Sequence, residues 1–182
     1  ANLIPPIVNA VVVAPLLALL TSAAVVALLL HTRAAAFALD HPNQRSLHAA
    51  PKSRLGGVGI AAGVAAGWSY APPPFDASVL AALAALVVIS LVDDLKSVSV
   101  AWRLLLHLAS ALTAMAALLY AAHGFWLTLA ATLATAWMIN LYNFMDGSDG
   151  LAGGMAVFGF GAYGTAALLG GDHSFAAVNF AV

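Results

Sequence analysis

Long apolar runs separated by short polar segments occupy this chain from one end to the other. Six apolar stretches are complete, and a seventh begins near Phe175. The six cover residues 7–30, 57–71, 77–92, 104–122, 125–142 and 151–170. A membrane-crossing helix needs about 20 apolar residues, so the second and third stretches must borrow residues from their flanking loops. The pattern predicts an all-α fold, a polytopic transmembrane helix bundle with six full spans plus the start of a seventh, in one domain over residues 1–182.

Proline and glycine mark two features of the predicted helices. Pro72–Pro74 separates the second stretch from the third, because proline lacks a backbone donor and disfavours helix in the residue before it. Gly59, Gly63 and Gly67 recur every four residues, which places them on one face of a helix. Small residues at this spacing let helices approach closely in lipid, so we expect a helix-packing face here.

Composition and charge support a membrane protein and give it an orientation. Hydrophobic residues make up 63% of the chain and charged residues 7%, whereas soluble domains carry about 25% charged residues. The loops alternate between two sides, and all six basic residues fall on the side that receives 31–56, 93–103 and 143–150. They are Arg33, Arg45, Lys52, Arg54, Lys96 and Arg103. The positive-inside rule makes these loops cytoplasmic. The chain has no Cys, which excludes disulfides and thiolate metal sites.

An acidic pair follows the third apolar stretch. Asp93 and Asp94 repel one another, which raises the proton affinity of one of them. Adjacent carboxylates also suit Mg²⁺, a hard cation that prefers oxygen ligands and phosphate partners. The alternative is a solvated acidic boundary without a ligand. Downstream, Arg103 and His107 lie four residues apart and share a helix face.

A second polar group follows the fifth stretch, with polar residues every three positions. They are Asn140, Asn143, Asp146 and Asp149. Gly147 and Gly150 favour a tight turn, so that both carboxylates project from a loop at the helix end. Amide and carboxylate oxygens form a set that binds a hard cation or a nucleotide. The alternative is a simple helix-capping loop, although Asn residues at membrane depth are costly unless they are paired or functional.

The first predicted cytoplasmic loop is basic. Arg45, Lys52 and Arg54 lie beside the membrane, and His48 can donate or accept a hydrogen bond near neutral pH. One interpretation is that this loop binds the phosphates of a substrate. The alternative is that it only attracts anionic lipid headgroups. Three segments on one face, one basic, one acidic and one rich in Asn and Asp, suit phosphoryl transfer between a soluble phosphate-bearing molecule and a lipid phosphate.

Segments 40–57, 91–107 and 140–154 resemble the polyprenyl-phosphate N-acetylhexosamine-1-phosphate transferases of the glycosyltransferase family 4 type. The resemblance is carried by residues 42–48 (Pro-Asn-Gln-Arg-Ser-Leu-His), by the Asp93–Asp94 pair and by residues 140–147 (Asn-Leu-Tyr-Asn-Phe-Met-Asp-Gly). The first loop is similar to the O-antigen and enterobacterial-antigen branch. The phospho-MurNAc-pentapeptide branch typically has a Thr-Pro-Thr-Met-Gly-Gly-like loop, where this chain has Lys-Ser-Arg-Leu-Gly-Gly.

This resemblance implies a Mg²⁺-dependent enzyme of the bacterial inner membrane, with its active-site loops in the cytoplasm. It would transfer a sugar-1-phosphate from a UDP-N-acetylhexosamine to undecaprenyl phosphate and release UMP, for cell-wall or lipopolysaccharide synthesis. Asp93 and Asp94 would be catalytic and Asn143 a metal-site residue. Substrate-binding residues would be His48, Arg54, Asn140, Asp146 and Asp149. Membrane lipid and a second copy of the chain, in a homodimer, are expected partners, and nucleic acid is not.

The chain departs from this family in one respect. The family has further cytoplasmic motifs towards its C-terminus, a Gly-Asp-x-Gly-Ser segment whose Asp ligates the metal and a His-rich loop, and neither occurs in residues 1–182. Residues 171–174 (Gly-Asp-His-Ser) fall on the opposite side of the predicted membrane. We therefore expect the chain to be the N-terminal part of a longer transferase and to be inactive alone. The alternatives are an ion-coupled transporter that uses Asp93 and Asp94, the phospho-MurNAc-pentapeptide branch, and a structural subunit that binds anionic lipid.

Overall fold

The computed structural model describes residues 6–32, 39–40, 52–53, 55–145 and 151–182. Seven α-helices account for most of this part of the chain. They are α1 Pro6–His31, α2 Gly56–Tyr70, α3 Ala77–Lys96, α4 Val100–Met115, α5 Ala121–Met145, α6 Leu151–Leu169 and α7 His173–Phe180, with a π-helical segment Ala116–Tyr120 joining α4 to α5. The all-α fold is confirmed. Helices α1–α6 lie on the six predicted apolar stretches, and α7 lies on the start of the seventh.

One short pairing of extended backbone accompanies the helices, and the hydropathy pattern did not predict it. Strands β1 (Leu39–Asp40) and β2 (Lys52–Ser53) pair antiparallel, with Leu39 opposite Ser53 and Asp40 opposite Lys52. In the connection between α1 and α2, the backbone at Lys52 therefore lies beside the backbone at Asp40.

The end of α3 corrects a predicted boundary. The third stretch was expected to end at residue 92, with Asp93 and Asp94 in a loop, but α3 continues to Lys96 and holds both carboxylates in its last turns. Ser97 then adopts a left-handed conformation (φ 51°) and its N–H donates to the Asp93 carbonyl oxygen at 2.9 Å, which ends the helix. Lys96 in the last turn interacts favourably with the helix dipole.

Four helical stretches of the described chain are long and apolar enough to cross a membrane. They are 9–31, 77–96, 100–143 and 151–169. Helix α2, with 15 residues, is shorter than the about 20 that a perpendicular span needs. The stretch 100–143 has 44 residues, about 66 Å at 1.5 Å per residue and roughly twice the thickness of the hydrocarbon core. Its length suits two spans, and the count of six spans stays a prediction.

The chain contains two compact units. The first comprises residues 1–73 and 150–182 and contains α1, α2, α6 and α7. Here α2 packs on α1 through the predicted glycine face, because Gly59, Gly63 and Gly67 are all buried. A methyl group at Gly63 would lie 2.6 Å from the Ala18 carbonyl oxygen, so the two backbones are in direct contact. The predicted packing face is confirmed.

Helix α7 belongs to the same unit and is tied to three other helices. The Asp172 carboxylate caps α7 by accepting from the Phe175 N–H at 2.9 Å, and α7 packs against α1 and α6. The Trp68 indole of α2 donates to the Val178 carbonyl oxygen at 3.1 Å, and the Phe180 ring lies on Gly164 of α6. The Asp172 carboxylate therefore stabilises the start of α7.

The second unit comprises residues 74–149 and contains α3, α4 and α5. Only residues 97–99 separate α3 from α4, and the two helices pack together. Helices α4 and α5 also pack together, since the chain reverses at Gly124, where φ is 72°. This positive φ suits glycine, which lacks a Cβ. The unit is thus an up-down-up arrangement with α4 in the middle.

Small residues at four-residue intervals form the buried face of α5. Thr128, Thr132 and Ala136 are buried, and this spacing permits close approach to α4. The Thr132 hydroxyl donates to the Thr128 carbonyl oxygen, and the Thr128 hydroxyl to that of Gly124, both at 2.8 Å. Both buried hydroxyls therefore have partners within their own helix, as an environment without water requires.

Exposed tryptophans stand near the two ends of the helical stretch that runs from the start of α4 to the turn at Gly124. Trp102 is 63% exposed and Trp126, just beyond the turn at Gly124, is 78% exposed. Trp is enriched at membrane–water interfaces. The 22 residues from Trp102 to Gly124 rise about 33 Å, close to the thickness of the hydrocarbon core. The two tryptophans thus mark the expected membrane boundaries of the second unit.

Substitution at Gly63 tests the contact between α1 and α2. Gly63→Ala should lower the free energy of unfolding by about 1–3 kcal/mol, because the added methyl group meets the α1 backbone. Gly161→Ala in α6 is the matched control, since no atom lies within 4 Å of a methyl group there. The control should be neutral or stabilising by up to about 1 kcal/mol. Thermal unfolding in detergent measures both variants, and equal stabilities would contradict the contact.

Candidate active site at one end of the second unit

Polar side chains collect where α3 ends, α4 begins and α5 ends. These three termini lie at one end of the unit, because α3 and α5 both run antiparallel to α4. The described polar residues there include Asp93, Asp94, Arg103, His107, Asn140 and Asn143. Trp102 lies at the same level, so the charged members of this group are near the membrane–water boundary, where charge is least costly.

Asp93 closes the connection between α3 and α4. Its Oδ1 accepts from the Val98 N–H at 2.7 Å, and its Oδ2 accepts from Arg103 Nη1, also at 2.7 Å. Both side chains are partly buried. Short contacts of this kind between ionised groups are among the stronger protein hydrogen bonds. The pair therefore fixes the start of α4 against the last turn of α3.

Asp94 occupies a different position around the same helix. Successive residues of an α-helix are rotated by about 100°, so its side chain leaves α3 in another direction than that of Asp93. Asp94 is half-buried, like its neighbour. The two carboxylates of the acidic pair therefore leave α3 in different directions, and the Asp93 carboxylate contacts Arg103 of α4.

His107 and Asn140 form a hydrogen bond between α4 and α5. His107 Nδ1 lies 3.3 Å from Asn140 Oδ1, and Asn140 Nδ2 donates to the Ala136 carbonyl oxygen at 2.7 Å. Because the Asn140 nitrogen is the donor to Ala136, its oxygen accepts and His107 Nδ1 carries the proton. His107 is 4% exposed and lies about 8 Å along the helix from Trp102, on the membrane side. A polar pair at this depth needs a mutual partner.

Asn143 lies near the end of α5, three residues beyond Asn140, and is exposed. With Asp94 it offers amide and carboxylate oxygens at the same end of the unit, which is the ligand chemistry that Mg²⁺ prefers. In the part of the chain that the structure describes, no three His, Cys, Asp or Glu side chains are grouped to hold a metal ion. Mg²⁺ commonly needs only one or two carboxylates besides substrate phosphates, so the described oxygen donors fit this ion.

The structure describes half of the predicted site residues. Asp93, Asp94, Asn140 and Asn143 lie at one end of one unit, whereas His48, Arg54, Asp146 and Asp149 lie outside the described residues. The predicted set did not include Arg103 and His107, the two α4 residues that hold Asp93 and Asn140. Their four-residue spacing could have identified them, because it places both side chains on one face of α4. Arg103 contacts α3 from this face and His107 contacts α5.

The fold and the site together define a class of protein. It is a polytopic helical membrane protein that carries acidic and amide groups at one membrane boundary. Within it, the chain belongs to glycosyl transferase family 4, whose sequence model matches residues 77–182. This match begins at the first residue of α3 and includes every described residue of the candidate site.

A relative from Bacillus subtilis (strain 168) is described as a probable undecaprenyl-phosphate N-acetylglucosaminyl 1-phosphate transferase. It is 29% identical over 150 residues, which cover 74% of this chain and 42% of the relative. The chain thus spans less than half of the relative's length. No solved structure matches the chain.

The bond between His107 and Asn140 should be measurable in a double-mutant cycle. His107→Ala, Asn140→Ala and the double variant should give a coupling of about 0.6 kcal/mol, with about 1.7 kcal/mol as the upper end for such bonds in membranes. The free energy of unfolding in mixed micelles is the quantity to measure. Thr113→Ala is the control partner for Asn140→Ala, because Thr113 is exposed and its hydroxyl donates to Ala109 of its own helix. Zero coupling for both pairs would show that the contact stabilises nothing.

Proposed function

We propose that this protein is a polyprenyl-phosphate N-acetylhexosamine-1-phosphate transferase. It transfers a sugar-1-phosphate from a UDP-N-acetylhexosamine to undecaprenyl phosphate and releases UMP, for cell-envelope polysaccharide synthesis. The observation that carries the proposal is the position of Asp93 and Asp94 in the last turns of α3, inside the family match and level with the boundary tryptophan. The name of the B. subtilis relative supports the lipid acceptor and the sugar.

The reaction is an exchange of one phosphorus–oxygen bond. An oxygen of the lipid phosphate attacks the β-phosphorus of the UDP-sugar and forms a new bond to it. The bond from that phosphorus to the oxygen that bridges to the α-phosphorus breaks, and UMP leaves with that oxygen and the electron pair. Such transfers depend mainly on positioning and on neutralising charge. An end of the unit at the membrane surface suits a reaction between a lipid and a water-soluble donor.

Each residue of the proposed site has a stated role. One carboxylate of the Asp93–Asp94 pair accepts the proton of the lipid phosphate and keeps it dianionic. Asp94 and Asn143, with the predicted Asp146 and Asp149, would hold Mg²⁺, which when bound neutralises charge on the diphosphate. His48 and Arg54 remain predictions for phosphate or sugar contact. Asn140 also remains a predicted substrate residue, although its amide already bonds to Ala136 and His107.

We propose further that the site faces the cytoplasm of a bacterial cell, with the protein in the inner membrane. All six basic residues fall in the sequence segments 31–56 and 93–103, which border this side, and this clustering supports the orientation. The proposal also agrees with the donor, because nucleotide sugars are cytoplasmic metabolites. The His107–Asn140 pair does not favour the transporter alternative, since it joins two helices of one unit.

Cysteine labelling tests this orientation on a background that has no Cys of its own. Ser97→Cys places a thiol just before α4, and His123→Cys places one just before the turn at Gly124, at the other end of the same helical stretch. Both positions are exposed. We expect a membrane-impermeant maleimide to label His123→Cys in intact spheroplasts and Ser97→Cys only after lysis. The unsubstituted chain controls for background labelling, and the reverse pattern would contradict a cytoplasmic site.

Activity of the full gene product tests the chemistry. UMP release from UDP-N-acetylglucosamine and undecaprenyl phosphate should stop with EDTA and return with Mg²⁺. Asp94→Asn should lower kcat by about 100-fold or more, because the carboxylate is lost from the reacting end of α3. Asp76→Asn, the same change at the opposite end of α3, should leave kcat within about 2-fold, since it lies outside the site. Equal activity of both variants would remove the acidic pair from the mechanism.

A further inference from the structure

The packing of α5 against α4 becomes looser toward the end of α5 that carries Asn143. Ala136 is buried, whereas none of residues 137–143 is. Trp137 and Met138 are 66% and 40% exposed. Helix segments with few buried apolar contacts open most easily. The orientation of this helix end therefore depends on the contacts that it makes beyond Ala136.

The hydrogen bond between His107 and Asn140 is such a contact. His107 is 4% exposed, and its Nδ1 lies 3.3 Å from Asn140 Oδ1. The bond joins α5, one turn beyond Ala136, to α4, which is itself fixed to α3 by the ion pair of Arg103 with Asp93 at 2.7 Å. Removing either partner leaves the other without this bond at a depth where water does not replace it. The end of α5 is thus connected to the other two helices of the unit through one polar contact.

The Asn140 side chain is directed back along its own helix, away from the end of α5. Its Nδ2 donates to the Ala136 carbonyl oxygen at 2.7 Å, one turn further into the membrane. Its Oδ1 accepts from His107, about 8 Å inside the level of Trp102. A water-soluble donor meets the protein on the membrane-surface side of these groups. Both ends of the amide therefore serve contacts within the helix pair.

We propose that His107 and Asn140 are positioning residues of the active site, and that neither touches the reacting groups. The inference rests on the function proposed above and changes the predicted role of Asn140 from substrate binding to support. Their bond holds the end of α5, which carries Asn143 and leads to the predicted Asp146 and Asp149. A displacement of about 1 Å at a reacting centre can cost about 100-fold in rate. Loss of the bond should therefore slow the reaction through movement of this helix end.

A double-mutant cycle on kcat in the full gene product separates positioning from contact with substrate. His107→Ala and Asn140→Ala should each lower kcat for UMP release by about 10- to 100-fold. The two losses should agree within about 3-fold, because each variant removes the same bond. For the same reason, the double variant should lie no more than about 3-fold below either single variant.

The geometry of the bond also provides a rescue. An Asn side chain carries an N–H where His carries Nδ1, whereas Gln carries it one bond further out, where His has Nε2. His107→Asn should thus bring kcat to within about 3-fold of the unsubstituted protein, and His107→Gln should recover less. Thr132→Val is the matched control, because it removes a buried hydroxyl from the same helix pair whose bond lies within α5. It should leave kcat within about 2-fold.

Amide hydrogen exchange gives a readout that does not depend on activity. Residues 137–143 should exchange about 10-fold faster in His107→Ala than in the unsubstituted protein, because the last turns of α5 lose their contact with α4. The original rate should return in His107→Asn. Thermal unfolding of every variant reports the folded fraction, so that kcat is expressed per folded molecule.

Any of four results would overturn the inference. An Asn140→Ala variant at least about 10-fold less active than His107→Ala would indicate that Asn140 contacts substrate, and a double variant whose losses multiply would mean independent roles. Unchanged kcat per folded molecule would limit the bond to a role in stability. Unchanged exchange at residues 137–143 would show that the bond does not hold α5. If the unsubstituted protein releases no UMP, the proposed function fails and this inference with it, whereas an active protein with any of the four results overturns the inference alone.

Discussion

The lack of water in the hydrocarbon core is the constraint on which this structure depends. Every polar group at that depth needs a partner within the protein, and every charge is costly there. The buried hydroxyls of Thr128 and Thr132 accordingly donate to carbonyl oxygens of their own helix. His107 and Asn140 bond to one another, and the charged residues of the second unit occupy helix ends. The chemistry available to this protein is therefore confined to the membrane boundary.

Under this constraint, short contacts between neighbouring helices determine where reactive groups stand. The glycine face of α2 brings its backbone against α1, and the small residues of α5 do the same against α4. At the boundary, Arg103 and His107 of α4 fix α3 and α5 through Asp93 and Asn140. The central helix of the second unit thus positions the two helix ends that carry Asp94 and Asn143. We propose that sugar-1-phosphate transfer takes place there.

Hydropathy was enough to predict the helices, because apolar runs of this length have no other stable arrangement in a membrane. The glycine face of α2 was predictable from its four-residue spacing. The bond between His107 and Asn140 could also have been found, since the two residues lie 16 positions on either side of residues 123–124, where the chain was predicted to reverse. What the sequence did not show was the extension of α3 to Lys96 and the pairing of Asp93 with Arg103. Both depend on a three-residue turn whose geometry is set by contacts rather than by composition.

The central claim is that the protein moves a sugar together with its phosphate, and the fate of two isotopes tests it most directly. The full gene product, in membranes with undecaprenyl phosphate, is given UDP-N-acetylglucosamine that carries tritium in the sugar and phosphorus-32 in the β-phosphate. The account predicts that both labels enter the lipid extract in equal molar amounts, with unlabelled UMP left in solution. Tritium in the lipid without phosphorus-32 would mean glycosyl transfer with release of UDP, and it would contradict the account.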